Sequence, residues 1–240
     1  MTVTAPGKLY LIPVSLGDSA SSLTTPADVA ACARGLDYFV VENARTARAE
    51  LKRLEHPRPL RDLDIRELPE NPGREDLDTL LAPLLAGRDA GLMSEAGCPA
   101  VADPGALLVR RAHEMGIRPM PLVGASSLLL ALMASGLNGQ SFAFHGYLPV
   151  DEDARDRRIR DLEAESARHA RTQLFIETPY RNERLFAALL KTCRSDTRLC
   201  VARDLTLDSE WITSRPLGDW KKSPPPDLAR RPTVFLILAA

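Results

Sequence analysis

The chain has 240 residues, of which 45% are hydrophobic and 26% charged, and its 31 basic and 32 acidic residues give a formal net charge of −1. This composition is typical of a soluble globular protein and excludes a long disordered chain, a collagenous chain and a coiled-coil rod. The length fits one large domain or two domains of roughly 100–150 residues each. The near-neutral charge argues against a surface that binds nucleic acid by electrostatics alone.

Strand-like and helix-like segments alternate through the first half of the chain. Strands are predicted at residues 9–14, 37–41, 63–68, 90–94 and 118–123. Helices are predicted at residues 25–34, 45–54, 77–85 and 105–115. The first of these helices is expected to start with Thr25 as its N-cap and Pro26 at its first helical position. A βαβα order of this kind predicts a mainly parallel sheet covered by helices.

The second half has strands that follow one another with fewer helices between them. Helices are predicted at residues 124–135, 151–171 and 182–193. Strands are predicted at residues 142–147, 173–177, 198–203, 210–213 and 233–239. This order favours a mixed sheet, so the prediction is an α/β protein with two α/β domains, at residues 1–122 and 123–240.

Cysteine usage and hydropathy indicate the compartment. The four cysteines lie far apart, without a C-x-x-C pair or a histidine at metal-ligand spacing, which predicts free thiols, a reducing cytosol and no metal site. The apolar stretches are too short for a signal peptide or for the roughly 20 residues that cross a bilayer. We therefore expect a soluble cytoplasmic protein.

The basic residues are very unequally divided, because five are lysines and the remaining 31 − 5 = 26 are arginines. The codon usage of a GC-rich genome explains this excess without any function. Alternatively, some arginines hold phosphate or carboxylate groups through their planar guanidinium groups. Composition leaves both interpretations open.

Three loops that follow predicted strands have unusual sequences. They read PVSLGD at residues 13–18, SEAGCPAVADPG at residues 94–105 and VGASS at residues 123–127. In open α/β sheets, ligands bind beyond the carboxyl ends of the strands, and the free N–H groups of a helix N-terminus suit a carboxylate or hydroxyl-rich ligand. The alternative is that glycine and proline only shape turns here, which explains one such loop more readily than three.

These loops and several later segments resemble the tetrapyrrole methylase superfamily of S-adenosylmethionine-dependent methyltransferases. The most similar branch is the ribosomal RNA small subunit methyltransferase I family, which methylates a ribose 2′-hydroxyl. The resemblance runs from Lys8 to about Asp204. The segments that carry it are LYLIPVSLGD, VVENARTAR, GLMSEAGCPAVADPG, PLVGASSLLLALMASGL, FAFHGYLP, LFIETPYR and CVARDLT.

The resemblance implies two α/β domains with S-adenosylmethionine bound in the cleft between them, and a homodimer. It also implies ribosomal RNA or the small ribosomal subunit as a partner, whereas the short apolar stretches already predict no membrane partner. The positions that match the cofactor-binding positions of the superfamily are Leu16, Gly97, Cys98, Val101, Ser126, Ser127, Ala202, Pro232 and Thr233.

A hydroxyl acceptor needs a general base or a polarising pair near the methyl group. Two segments supply catalytic candidates, and these are Glu42, Asn43, Arg45, Glu177, Tyr180 and Arg181. Arg45 and Arg181 are also suited to holding an acceptor phosphate. The alternative for each charged candidate is a structural ion pair, because buried charges in proteins are normally paired.

The chain departs from the ribosomal RNA family at several motifs. It reads E-N-A-R at residues 42–45, where the family reads E-D-T-R, and E-T-P-Y-R at residues 177–181, where the family reads E-S-P-H-R. Its sequence also ends in TVFLILAA, without the carboxy-terminal extension of that family. Two alternatives therefore stay open: a methyltransferase of a small molecule such as a tetrapyrrole precursor, or a cofactor-binding relative without catalysis.

Overall fold

Ten strands form two separate five-stranded sheets in the computed structural model, which describes residues 5–239. The chain divides into two units, Met1–Ser126 and Ser127–Ala240, and each sheet belongs to one unit. The division falls four residues after the predicted domain boundary.

Unit 1 alternates strands and helices. Its strands are β1 (Leu9–Leu11), β2 (Tyr38–Val41), β3 (Asp64–Glu67), β4 (Ala90–Met93) and β5 (Pro119–Pro121). Its helices are α1 (Ser21–Thr24), α2 (Ala27–Gly35), α3 (Ala44–Arg53), α4 (Arg74–Leu85) and α5 (Gly105–Glu114), and a 3₁₀ turn covers Leu60–Asp62.

The sheet of unit 1 is parallel throughout, in the order β3-β2-β4-β1-β5. Helices cover both of its faces, so the strands are buried and almost continuously apolar. Val40 packs with α4 and α5 on one face, whereas Phe39 and Val41 pack with α2 and α3 on the other. The order places β4, β1 and β5 side by side, so the loops at their carboxyl ends lie next to one another.

Unit 2 has fewer crossover helices. Its strands are β6 (Phe142–Tyr147), β7 (Thr172–Ile176), β8 (Arg198–Arg203), β9 (Trp211–Pro216) and β10 (Thr233–Leu238). Its helices are α6 (Ser127–Ser135), α7 (Glu152–His169), α8 (Asn182–Thr192) and α9 (Leu217–Trp220). The sheet order is β6-β7-β10-β8-β9, with β6 and β7 parallel and every other pair antiparallel. The predicted α/β class, with a mainly parallel first sheet and a mixed second sheet, is confirmed.

Two helix starts differ from the prediction. Thr25 ends the short helix α1 and donates its backbone N–H to the Ser21 carbonyl, so it does not cap α2. Pro26 takes the N-cap position instead, and its carbonyl accepts from Ala30 N–H. The predicted helix from residue 124 begins only at Ser127, because residues 122–126 have no regular secondary structure. The short helices α1 and α9 were not predicted.

Candidate functional site

The loops after β1 and β4 are joined by backbone hydrogen bonds at the carboxyl edge of the first sheet. Val14 and Gly97 form an isolated antiparallel bridge, in which each N–H donates to the other carbonyl over 2.9 Å. The two loops therefore have a fixed register directly beyond the strand ends, where parallel sheets bind their ligands.

Gly97 brings three sequence-predicted cofactor residues together. Its φ of +73° lies in the left-handed region, which glycine adopts without steric cost. An added Cβ would lie 3.5 Å from Leu16 Cδ2 and 3.8 Å from the Ala125 carbonyl oxygen. The next residue, Cys98, lies with its Sγ 3.5 Å from the same carbonyl and hydrogen-bonds Ser126. Leu16, Gly97, Cys98 and Ser126 thus line one small region of unit 1.

Gly124 brings the loop after β5 into contact with the loop after β1. A Cβ at this position would meet Pro13 Cβ at 2.4 Å and Pro13 Cγ at 2.7 Å, so only glycine fits. This close approach places the next carbonyl, that of Ala125, beside Cys98. Gly124 and Ala125 lie in the VGASS loop, which was predicted to bind a ligand, but neither was among the predicted site residues. A glycine directly after a predicted strand is nevertheless a signal for a close backbone approach.

The loop after β4 contains a tight turn built on Asp103. Ala100 and Ala102 have φ values of +67° and +64°, which are unusual for residues with a side chain. The Asp103 carboxylate accepts from Ala100 N–H at 2.9 Å and from Gly105 N–H at 2.6 Å, and these bonds hold the turn. Burial raises the pKa of the Asp103 carboxyl above its ordinary value, and the nearby Glu42 charge raises it further. The turn presents the half-exposed Val101 side chain to solvent.

The buried carboxylate of Glu50 holds the loop after β1 through hydrogen bonds. Glu50 on α3 accepts from Ser15 Oγ at 2.9 Å and forms an ion pair with Arg53. The Arg53 guanidinium also donates to the Ser19 carbonyl at 3.2 Å. Glu50 and Arg53 together thereby fix both ends of the segment that carries Leu16, a role that was not predicted.

The segment after β2 holds three catalytic candidates in different environments. Glu42 accepts from Glu95 N–H through Oε2 at 2.9 Å, and its Oε1 has no hydrogen-bond partner among residues 5–239. The Asn43 Oδ1 accepts from the N–H groups of Arg45 and Thr46, so Asn43 is the N-cap of α3. Arg45 is exposed.

Two of the four predicted cofactor residues of unit 2 are internal to its sheet. Ala202 is fully buried in β8 opposite Val234. Thr233 is buried and donates its hydroxyl to the Arg231 carbonyl. Pro232 is exposed, and its carbonyl accepts from Asp204 N–H at 2.9 Å. Pro232 thus offers an exposed surface, whereas the side chains of Ala202 and Thr233 do not. Ser127 is the first residue of α6.

The remaining three catalytic candidates share the loop between β7 and α8. Arg181 donates to Oε1 of the buried Glu177 through Nη2 at 2.6 Å and through Nε at 3.0 Å. This is the structural ion pair that the sequence left open as an alternative. Tyr180 projects from the same loop and is 79% exposed.

The described residues contain no group of three or more histidine, cysteine or acidic residues able to hold a metal ion. No helix in residues 5–239 is long and apolar enough to cross a membrane.

Comparison with known proteins identifies the family. The profile of a family described as Tetrapyrrole (Corrin/Porphyrin) Methylases matches residues 8–220. A protein of Pseudomonas aeruginosa named Ribosomal RNA small subunit methyltransferase I is 36% identical over 157 residues, which cover 64% of this chain and 54% of that protein. The chain therefore matches only about half the length of this relative.

Two relatives with the same name match over longer segments. The protein of Mesorhizobium japonicum is 34% identical over 214 residues, and that of Vibrio cholerae is 31% identical over 211 residues. Each match covers 88% of this chain and 69% of the relative.

The fold also matches a solved structure. The crystal structure of the methyltransferase CobJ aligns with a TM-score of 0.65, covering 98% of this chain and 95% of CobJ at 19% sequence identity. This likeness concerns the fold alone. With the family profile and the sequence relatives, it confirms the resemblance that the motifs indicated: the chain belongs to the tetrapyrrole methylase family, whose members use S-adenosylmethionine as methyl donor.

Proposed function

We propose that this chain methylates a ribose 2′-hydroxyl of small-subunit ribosomal RNA, in the cytoplasm where ribosomal subunits are found. The observation that carries the proposal is the set of relatives named Ribosomal RNA small subunit methyltransferase I, which are 31–36% identical to this chain. The likeness to CobJ carries no information about the acceptor, because at 19% identity it concerns the fold alone.

The residues of unit 1 fit S-adenosylmethionine. A sulfonium donor needs a largely apolar site with backbone acceptors, because methyl transfer depends mainly on positioning. Leu16 and Val101 supply apolar side chains, and Gly97 leaves the space that a side chain would fill. Burial raises the pKa of the Cys98 thiol, so this residue stays neutral beside the donor. When bound, S-adenosylmethionine supplies the methyl group as an electrophile.

Glu42 is the residue of unit 1 best placed to take the acceptor proton. Its Oε2 is held by Glu95 N–H, whereas its Oε1 is left to accept from a ribose hydroxyl. As the new carbon–oxygen bond forms, the hydroxyl proton passes to this carboxylate. Arg45 is exposed and suits an acceptor phosphate. Asn43 orients this segment as the helix cap.

The proposal is tested by tritium transfer from labelled S-adenosylmethionine to small ribosomal subunits from a strain that lacks the ribosomal RNA enzyme. The wild-type chain should label the RNA, and Glu42→Gln should lower the rate by about 10²–10⁴-fold, the usual contribution of a general base. Calorimetric titration should give the same affinity for S-adenosylmethionine in both.

Two results would contradict the proposal. Unlabelled subunits in the presence of a chain that binds the cofactor would point to a small-molecule acceptor. No cofactor binding by the wild-type chain would indicate a relative without catalysis. A normal rate in Glu42→Gln would leave the acceptor assignment intact and remove Glu42 as the base.

We also propose a homodimer. Six large apolar side chains of unit 2 are exposed in the single chain, and four of them, on α6 and β6, are here called the apolar patch: Leu129, Met133, Phe142 and Tyr147. Phe142 pairs with Thr172, three residues before Phe175, so Phe142 lies on the sheet face opposite the core formed with α7 and α8. Helix α6, which carries Leu129 and Met133, contacts β8, β9 and β10 of the same sheet, and its buried residues lie outside that core. Exposed apolar patches of this kind are typical of interfaces between identical subunits.

A further inference from the structure

The loop between β7 and α8 presents one aromatic ring to solvent. Tyr180 is 79% exposed and lies between Glu177, which follows β7, and the start of α8. Most large apolar groups gain free energy by burial, so a tyrosine presented in this way suggests contact with a ligand. The family motif has histidine at this position, so the larger ring is a feature of this chain.

The backbone beneath Tyr180 is fixed on both sides. Thr178 N–H donates to Glu177 Oε1 at 2.6 Å, and Arg181 N–H donates to the Thr178 carbonyl at 2.8 Å. Arg230 N–H donates to the Pro179 carbonyl at 3.1 Å. The Glu177–Arg181 ion pair closes the loop at its base. The exposed ring is therefore held by an ordered loop, which lowers the entropy lost when a ligand binds.

Arg230 contributes a cation next to this ring. Its guanidinium carbon lies 6.0 Å from the Tyr180 ring centroid. Its φ of +58° is a strained conformation for a residue with a side chain, and such strain is concentrated at functional sites. No carboxylate among residues 5–239 lies within ion-pair distance of Arg230, whereas the adjacent Arg231 pairs with Asp204 and Asp227. Arg230 thus keeps an uncompensated positive charge beside an exposed ring.

We propose that Tyr180 stacks a nucleobase of single-stranded RNA and that Arg230 binds the adjoining phosphate, an inference that rests on the proposed RNA-methylating function. Proteins bind single strands through this combination, in which an aromatic face takes the base and a basic residue follows the backbone. Arg181 adds a second donor, because its Nη1 makes no hydrogen bond among the described residues.

The charge at this site selects RNA over the adenine of the cofactor. S-adenosylmethionine carries a sulfonium and an ammonium against one carboxylate, so its net charge is positive. The unpaired Arg230 guanidinium repels such a ligand and attracts the phosphates of RNA. Tyr180 therefore belongs to the acceptor side of the reaction.

The test compares three variants with the wild-type chain, using a short fluorescein-labelled single-stranded RNA in an anisotropy titration and the small ribosomal subunit in the tritium assay. Tyr180→Ala should weaken RNA binding by on the order of tenfold and raise the KM for the subunit. Tyr180→Phe should match the wild-type chain, because it keeps the stacking surface. Val150→Ala removes another exposed apolar side chain of unit 2 and should change neither value.

Arg230→Gln gives an independent measure of the phosphate contact. The slope of log affinity against log salt concentration should fall by about 0.7, the value expected for one phosphate contact to a single strand. An unchanged slope would overturn the assignment of Arg230.

The outcomes separate this inference from the proposed function. If the wild-type chain methylates subunits while Tyr180→Ala keeps the wild-type KM and RNA affinity, the stacking role is wrong and the function stands. If Tyr180→Ala weakens binding of S-adenosylmethionine but not of RNA, the ring serves the cofactor and the inference is overturned. A loss of RNA binding in Tyr180→Phe would assign the effect to the hydroxyl instead of the ring. A wild-type chain that neither binds nor methylates RNA would overturn both proposals.

Discussion

The close approach of Gly124 to Pro13 depends on a single missing methyl group. The loops after β1, β4 and β5 of unit 1 meet through small residues, and this contact is the tightest, with 2.4 Å between Pro13 Cβ and a Cβ placed on Gly124. Proline cannot move away easily, because its ring is part of the backbone. The position of the Ala125 carbonyl beside Cys98 follows from this contact.

We expect Gly124→Ala to destabilise the chain by about 1–3 kcal/mol, the usual cost of overpacking a tight contact. The same change should weaken binding of S-adenosylmethionine, because it separates the loops that carry Leu16 and Ser126. Urea denaturation measures the first effect and calorimetric titration the second.

Gly35→Ala is the matched control for this prediction. A Cβ at Gly35, the last residue of α2, meets nothing within 4 Å and its φ is outside the left-handed region, so the change should be neutral or stabilise by up to about 1 kcal/mol. Wild-type stability and cofactor affinity in Gly124→Ala would show that the loops adjust to the added methyl group. The contact with Pro13 would then not determine the geometry of the cofactor site.

At the level of secondary-structure elements, helix α3 connects the candidate base to the rest of unit 1. Its N-terminus is capped twice, because Asn43 Oδ1 accepts from Arg45 and Thr46, and the Glu67 carboxylate of β3 accepts from Ala44 N–H at 2.7 Å. Its second turn carries Glu50, which holds the loop after β1. A single helix thus orients both Glu42 and Leu16.

The series Asn43→Ala and Asn43→Asp distinguishes a capping role from a chemical one. Alanine removes the cap and should cost about 1 kcal/mol of unfolding free energy. Aspartate, the residue of the family motif, caps equally well and favours the positive end of the helix dipole, so stability and methyl transfer should both be retained. Urea denaturation and the tritium assay measure the two properties.

Asp151→Ala removes the comparable cap of α7, where Asp151 accepts from Ala154 N–H, and serves as the control in unit 2. It should lower stability by a similar amount without a change in the methyl-transfer rate per folded molecule. A normally stable Asn43→Asp variant with a much reduced rate would instead assign the Asn43 amide to the reaction.

Much of the architecture follows from patterns that are local in sequence. The alternation of apolar strands with helices predicted the parallel sheet, and the apolar leucines at helical spacing predicted α4. The predicted start of α6 at residue 124 was wrong: Gly124 packs against Pro13, which is distant in sequence, and the helix begins at Ser127. Thr25 was misassigned because it already ends α1, a helix too short to be recognised from its pattern.

The site residues likewise divide into those in recognisable motifs and those that depend on contacts distant in sequence. The motif resemblance located the loops that carry Leu16, Gly97, Cys98 and Ser126. Residues that act by holding those loops, such as Glu50 and Asp103, were not predicted, because an ordinary glutamate on a helix or an aspartate in a turn gives no signal until its partners are known.

At the scale of the whole molecule, the formal charge of −1 agrees with a particular kind of RNA binding. Some arginines are neutralised by neighbouring carboxylates, as Arg88 is by Asp37 and Asp64. A protein whose net charge is close to zero has to select RNA through stacking and shape more than through total charge. An exposed tyrosine with one unpaired arginine is consistent with that requirement.

The proposed homodimer gives the last prediction at this scale. Analytical ultracentrifugation of the wild-type chain should show a dimer at micromolar concentration, with the apolar patch at its centre. A double variant, Met133→Lys and Phe142→Lys, places charges on two exposed positions of the patch, of which Met133 is 80% exposed. In a two-fold interface each change occurs twice, so the double variant places four positive charges in one interface. The Kd of the dimer should therefore rise by at least about 100-fold. Because both side chains are exposed in the single chain, its circular dichroism and its affinity for S-adenosylmethionine should be unchanged.

Leu23→Lys, on α1 of unit 1, introduces the same charge at another exposed apolar position and should leave the dimer intact. A wild-type chain that sediments as a monomer, or a double variant that remains dimeric, would show that the patch does not bind a second copy.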